Sequence, residues 1–252
     1  MKSEYALVRP VPASYDKCIR TNRENIDVQL AIKQHEEYCR ALKELGLKLI
    51  WVKRDDSLPD SCFIEDTAVV FDGKAIICNM KMKSRREEVN EVAKTLRNYK
   101  NIQFVRFPAT IDGGDVLKID DKVFIGLTSR TNRQAVNQLE KILEGYGLKI
   151  IPVKVRGVLH LKSACTYLGN NCVALAKGNF DINILKGYNK FIVPCDEAYA
   201  ANFLSVNGKI IMAKGYTKTK KLVEKMGFDV KELDISEFRK GDGALTCLSI
   251  IW

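Results

Sequence analysis

Ser61-Cys62-Phe63-Ile64-Glu65-Asp66-Thr67-Ala68-Val69-Val70-Phe71 reads as a β-strand: apolar and β-branched residues dominate, and no Gly or Pro interrupts before Gly73. Two adjacent carboxylates, Glu65 and Asp66, sit inside it. Neighbouring strand residues point to opposite faces, so one of the pair is expected to face the interior. A buried carboxylate is costly unless it is hydrogen-bonded or meets a cation. Taken alone, the stretch leaves two readings open, a strand end with solvated acids or part of a site.

Outward from this stretch a unit takes shape. Asp72-Gly73-Lys74 is a hairpin signal that leads into a second strand at 75–78. Ser84-Arg85-Arg86-Glu87 has the capping-box form, and Val89, Val92, Ala93 and Leu96 give the following helix its apolar stripe. A third strand spans 102–107. The same order returns around the turns Asp120-Asp121-Lys122, Gly169-Asn170-Asn171 and Asn207-Gly208-Lys209. From one turn start to the next (72, 120, 169, 207) the steps are 48, 49 and 38 residues. A strand–turn–strand–helix–strand repeat with a period in the forties must stack on its neighbours, and radial stacking about an axis is one solution. The last strand, 244–251, has no partners after it. Residues 4–52 supply the missing strand, helix and strand. The expectation is an α/β fold of five repeated ββαβ units, closed into a ring by the N-terminal segment, in a single domain spanning 1–252. An ordinary layered α/β sheet is the competing arrangement.

Composition narrows the class. The 252 residues suffice for a large core, and no Pro/Gly/Ser linker divides them. No apolar run approaches the ~20 residues of a membrane span. Met1-Lys2-Ser3-Glu4-Tyr5 is unlike an export signal. The eight cysteines include no CxxC pair and read as reduced thiols of a cytoplasmic protein. With two histidines and no ligand-like spacing, no metal site is expected. The net charge of +10 is spread over lysines without an arginine-rich arm or interleaved aromatics, which reads as a solvated surface, with no nucleic-acid or membrane partner. His35 falls on the apolar face of the helix at 27–45 and reads as a packing residue.

In repeat register the anomalous polar residues fall at matching positions. The steps from Asp66 to Asp112, Asp112 to His160 and His160 to Cys247 are 46, 48 and 87, the last about two periods. Equivalent positions of a radial repeat converge on the axis. Each residue alone has an ordinary explanation: a core thiol, a core histidine, a turn aspartate before Gly113-Gly114. Together they place a cysteine, a histidine and carboxylates in one cavity, the arrangement of nucleophilic catalysis by a thiolate. Arg85 and Arg130 each follow a serine at an expected helix start. A cation is disfavoured there by the helix dipole, so each makes an anion site suited to a carboxylate. Two exposed surface arginines are the alternative. A ligand with a carboxylate, a planar cation and an electrophilic carbon satisfies all these groups, as arginine or a close derivative does.

Six blocks carry a resemblance over nearly the whole chain: Leu58-Pro59-Asp60-Ser61-Cys62-Phe63-Ile64-Glu65-Asp66-Thr67-Ala68-Val69-Val70; Ser84-Arg85-Arg86; Asp112-Gly113-Gly114-Asp115-Val116-Leu117; Gly126-Leu127-Thr128-Ser129-Arg130-Thr131-Asn132; Leu159-His160-Leu161-Lys162-Ser163; and Asp242-Gly243-Ala244-Leu245-Thr246-Cys247. In these the sequence resembles the dimethylarginine dimethylaminohydrolases of the guanidine-modifying (pentein) superfamily, five-bladed α/β propellers. The resemblance implies a hydrolase acting on C–N bonds of linear amidines. It would convert dimethylarginine to citrulline through a covalent S-alkylthiouronium. It implies Cys247 as nucleophile, His160 as general acid/base and Asp112 as its orienting group. Asp66 and Glu65 would bind the guanidinium, and Asp60, Arg85, Arg130 and Gly241 the amino-acid end. A loop near 17–20 would also touch substrate. No cofactor is implied, and a small-molecule substrate is the expected partner. Oligomeric state stays open, a homodimer included. Glu65, on the other side of the strand from Asp66, is expected to assist at the margin or to brace the neighbouring blade. Hydrolysis of free arginine, as in arginine deiminase, and amidino transfer are the alternatives within the superfamily. A ribosome anti-association factor of the same fold is the non-enzyme alternative.

Overall fold

In the computed structural model residues 3–252 are described; Met1 and Lys2, which open the run read above as unlike an export signal, lie outside the described residues. The first unit holds β1 (Tyr5–Val8), α1 (Val28–Glu44) and β2 (Lys48–Trp51). Three units then follow the turn pattern: β3 (Ala68–Phe71), β4 (Lys74–Ile77), α2 (Glu88–Leu96) and β5 (Asn101–Phe104); β6 (Val116–Ile119), β7 (Lys122–Leu127), α3 (Arg133–Ile142) and β8 (Lys149–Lys154); α4 (Leu161–Ala164), β9 (Cys165–Gly169), β10 (Cys172–Leu175) and β11 (Asn189–Ile192). The fifth has β12 (Leu204–Val206), β13 (Lys209–Ala213), α5 (Thr217–Lys225) and β14 (Val230–Leu233). α6 (Ser236–Lys240) and β15 (Ile250–Ile251) end the chain.

Among the described residues the strands form five three-stranded sheets. In four of them an antiparallel hairpin precedes a parallel third strand. The parallel step needs a crossover, which the helix or turn between the strands provides. The β9 unit crosses with only the 3-10 turn Ile182–Leu185, and the following 38-residue step is correspondingly short. The fifth sheet is made from both ends of the chain: β15 pairs antiparallel with β1 (Ala6 opposite Ile251), and β1 pairs parallel with β2. The N-terminal segment therefore closes the ring, as the unpaired last strand required. Left-handed backbone at Gly73, Asp120, Asn170, Asn171, Asn207 and Gly208 sits in the four hairpin turns, where glycine, asparagine and aspartate tolerate it best.

Three stretches depart from the strand reading. Residues 61–71 contain a 3-10 turn, Ile64–Thr67, before β3. Residues 160–168 open with the single turn α4, and 244–251 contain the 3-10 turn Thr246–Leu248 before β15. Gly113–Asp115 and Cys195–Ala201 occupy the corresponding places in the other two units. At the axis the inner segments of five units crowd together, and tertiary context overrides β propensity. Helix starts also shift. α2 is preceded by Glu87 with no side-chain cap, and α3 is capped by Asn132, whose carboxamide accepts from the Ala135 N–H. Among the described residues no helix is long and apolar enough to cross a membrane.

Candidate active site

The one-turn segments before the inner strands bring the titratable side chains of different units together at the axis. In a 3-10 turn, neighbours diverge by about 120°. Glu65 and Asp66 therefore still face different ways, though not for the reason the strand reading supplied. Asp66 lines a cavity with Ile19, Asp60, Arg85, Arg130, His160, Gly241 and Cys247. Glu65 turns to the opposite side of the axis. Gly114 permits the close fit: a Cβ there would lie 2.8 Å from both Asp66 Oδ1 and His160 Nδ1. Its N–H donates to Asp66 Oδ1 at 3.1 Å.

His160 Nε2 lies 3.0 Å from Asp112 Oδ2, and Nδ1 lies 3.8 Å from Asp66 Oδ1. Burial by itself would lower the imidazole's proton affinity. The Asp66 charge, the Asp112 hydrogen bond and Asp115 outweigh it and raise the pKa to about 9. The histidine is therefore an imidazolium at neutral pH. Burial would likewise raise Asp66, but His160, Arg85 and the Gly114 N–H hold its carboxyl well below the usual range. Burial, then the Glu65 and Asp66 charges, push the Cys247 thiol far above its ordinary value.

The two arginines are buried, which removes the exposed-surface reading. Arg85 is nearly spent: Nη1 donates to Asp66 at 2.8 Å, Nε and Nη2 to Glu88, and Nη2 also to the Phe63 carbonyl. Burial raises Glu88 to about 7, against the pull of Arg85. Arg130 is different. Among the described residues its Nη1 has no hydrogen-bond partner, and it stands 3.6 Å from Asp112 Oδ2. Asp60 Oδ1 accepts the Ile19 N–H at 3.0 Å, and Gly241, the C-cap of α6, backs onto the Tyr15 hydroxyl with no room for a Cβ.

Glu65 is not among the residues lining this cavity. Its Oε1 accepts from Lys162 Nζ at 2.6 Å and its Oε2 from the Thr246 hydroxyl at 2.8 Å. The carboxylate oxygens of Asp66 and Asp112 and a His160 nitrogen lie within 4.8 Å of one another, near enough to hold a cation, yet all three are engaged with one another and with Arg85.

Several functional groups escaped the sequence reading. Asp115, fully buried, accepts from the Thr128 and Thr131 hydroxyls and from the Leu161 N–H, and burial raises it to about 6. Glu88 anchors Arg85 from inside α2. Asn202 Oδ1 accepts the Thr246 N–H at 3.1 Å. A signal for Asn202 existed: the 87-residue step from His160 to Cys247 spans two units, and position 202 falls where the skipped unit's polar residue belongs.

The cavity measures about 20 Å³, room for one or two waters. Ile19, from the loop at 18–21, lines it, and an adjoining cavity of about 660 Å³ shares Leu159, Asp242 and Gly243. The loop hangs from Asp60 through Ile19 and from Asp242, which accepts the Thr21 N–H and hydroxyl.

Comparison with known proteins places this geometry. The sequence profile of the family described as "N,N dimethylarginine dimethylhydrolase, eukaryotic" matches residues 11–181. The N(G),N(G)-dimethylarginine dimethylaminohydrolase of Pseudomonas aeruginosa is 34% identical over 89% of each chain. That of Streptomyces coelicolor is 35% identical over 99% of this chain and 97% of the relative. The chain belongs to the dimethylarginine dimethylaminohydrolase family. Among solved structures, a cysteine-to-serine mutant of the P. aeruginosa enzyme complexed with citrulline superposes with a TM-score of 0.95 at 30% identity, covering all of both chains. A histidine-to-glycine variant of a dimethylarginine dimethylaminohydrolase, as an adduct with S-methyl-L-thiocitrulline, also gives 0.95 at 30% identity, over 99% of this chain and 100% of that one. The N-terminal domain of the arginine dihydrolase ArgZ shares the fold, with a TM-score of 0.90 at 21% identity over 100% and 97%. The five-unit ring is thus the pentein propeller of the dimethylarginine dimethylaminohydrolases.

Proposed function

We propose that this chain hydrolyses Nω-methylated arginine to citrulline and a methylamine through a covalent intermediate on Cys247. What carries the reading is one cavity lined by a thiol, an imidazolium bonded to a carboxylate, a second carboxylate, and a buried arginine with a free donor. The guanidinium of the substrate sits against Asp66. Its α-carboxylate meets Arg130 and the remaining Arg85 donor, and Asp60 takes the α-ammonium. Gly241 offers backbone only.

The starting proton inventory decides the order of steps. His160 is already protonated, so it begins as the acid. The Cys247 thiol is held neutral by burial and by Glu65 and Asp66, and a cationic guanidinium beside it reverses that balance. Its proton leaves to solvent as substrate binds. The thiolate then attacks the guanidinium carbon, the C–N bond to the methylated nitrogen breaks, and His160 gives its proton to the departing amine. An S-alkylthiouronium remains. Neutral His160 next takes a proton from water, the hydroxide adds to the same carbon, and C–S cleavage releases citrulline. Asp112 keeps the imidazole oriented throughout.

Citrulline release is measured with asymmetric dimethylarginine, monomethylarginine, arginine and agmatine. Turnover of the methylated arginines with agmatine at least tenfold poorer is expected, and Cys247→Ser abolishes it. Equal turnover of agmatine removes the carboxylate assignment; activity that survives in Cys247→Ser removes the mechanism. The shared β1–β15 sheet supports reading 1–252 as one domain. Eight free cysteines suit a reducing compartment such as the cytoplasm.

A further inference from the structure

The wall behind the nucleophile is one residue thick. Asp66 and Cys247 line the catalytic cavity, while their chain neighbours Glu65 and Thr246 line a second cavity of about 700 Å³ on the far side of the axis, together with Lys162. Four units meet in this wall. Lys162 Nζ donates to Glu65 Oε1 at 2.6 Å, and the Thr246 hydroxyl donates to Glu65 Oε2 at 2.8 Å. The Asn202 carboxamide donates to the Lys162 carbonyl at 2.8 Å and accepts the Thr246 N–H at 3.1 Å.

We propose that Lys162 is a positioning residue for the reaction: it neutralises Glu65 directly behind Cys247 and, through Glu65 and the Thr246 hydroxyl, fixes the turn that carries the nucleophile. The inference rests on Cys247 being that nucleophile.

Glu65 is 7% exposed and so cannot rely on water to screen it. An unneutralised anion at this position opposes formation of a second anion on the adjacent turn. The groups bearing on Cys247 are Glu65 and Asp66 from the Ile64–Thr67 turn, Lys162 from α4, Tyr38 from α1, Tyr199 from the Cys195–Ala201 segment, and His160 across the cavity. Glu65 and Asp66 disfavour the thiolate, and Lys162 favours it. Asp66 has Arg85 as its counter-ion; Glu65 has Lys162. Glu65 is therefore the carboxylate whose effect on the thiol depends on this lysine, and Lys162 need not touch substrate to matter.

The test is the pH dependence of Cys247 alkylation by iodoacetamide, read by peptide mass spectrometry, with circular dichroism to check folding. At a fixed pH near neutrality Lys162→Met is expected to be alkylated about tenfold more slowly than wild type, the effect of about one unit at the thiol. Lys162→Arg, and the double variant Lys162→Met/Glu65→Gln, are expected to return within about threefold of wild type. A Lys162→Met profile that matches wild type, or a defect that Glu65→Gln does not relieve, overturns the proposal. Should Lys162→Met not fold, Thr246→Val decides: it keeps the ion pair but cuts its link to the turn. Its kcat on dimethylarginine is expected to fall about tenfold with KM within twofold, and an unchanged kcat overturns the proposal. Activity that persists in Cys247→Ser would instead fail the nucleophile reading, independently of Lys162.

Discussion

His160 and His35 are the only histidines in the chain, and their surroundings push them in opposite directions. His160, beside Asp66 and Asp112, is raised to about 9. His35, buried among Tyr38, Trp51 and Phe238 with no partner on Nε2, is lowered by burial to about 4. A histidine-labelled NMR titration should resolve both. Asp112→Asn should lower the His160 midpoint by about 1–3 units, the effect of losing one close opposite charge, and leave His35 in place. The stability carried by His160 is complete below its unfolded value of 6.5 and is lost as pH rises from there to about 9. The arginines separate in the same way. Arg130→Ala should raise KM for dimethylarginine while the melting temperature stays within a few degrees. Arg85→Ala should also lower stability by about 3–5 kcal/mol, because it removes the buried cation that bonds both Asp66 and Glu88; a melting curve unchanged from wild type would contradict this. Sequence found both arginines by their helix-start positions. It could not see that one is consumed by carboxylates and the other left with a free donor.

At the scale of elements, α1 is the case where local pattern and structure agree. Asp27 caps it, accepting the Leu30 N–H, and His35 packs inward as its place on the apolar face required. Because His35 must stay neutral to remain buried, the folded state binds one proton fewer than the unfolded state between pH 4 and 6.5. Stability falls as pH drops through that window, by roughly 3 kcal/mol in total at about 1.4 kcal/mol per unit. A His35→Gln protein should show a shallower loss of urea midpoint from pH 6.5 to 4 than wild type. The inner segments are where local pattern failed. Residues 61–71, 160–168 and 244–251 have strand composition, yet each makes a helical turn first. Composition reports what a segment prefers in isolation. It does not report the close approach of another unit, such as Gly113, where a Cβ would come within 2.1 Å of the Glu65 carbonyl oxygen.

Over the whole molecule, closure depends on two strands far apart in sequence. Leu7 and Ile250 are opposite each other in the β1–β15 pair, and both are buried. Ile250→Ala should cost about 2–5 kcal/mol and lower the melting temperature, whereas Ile192→Ala on the exposed face of β11 should be nearly neutral. Equal effects would mean that the ring does not close through this pair. Repeat spacing predicted this closure because a strand left without partners at one end needs partners from the other. The sequence by itself determined the ββαβ period, the number of units, and which residue reaches the axis in four of the five units, since all three follow from turn chemistry and polarity at fixed intervals. The opposed facing of Glu65 and Asp66 was expected from sequence; tertiary structure alone decided which partner each of them meets. That is why Asp66 meets His160 while Glu65, one residue earlier, meets Lys162: the direction of a side chain in a crowded centre is set by what the other four units leave open.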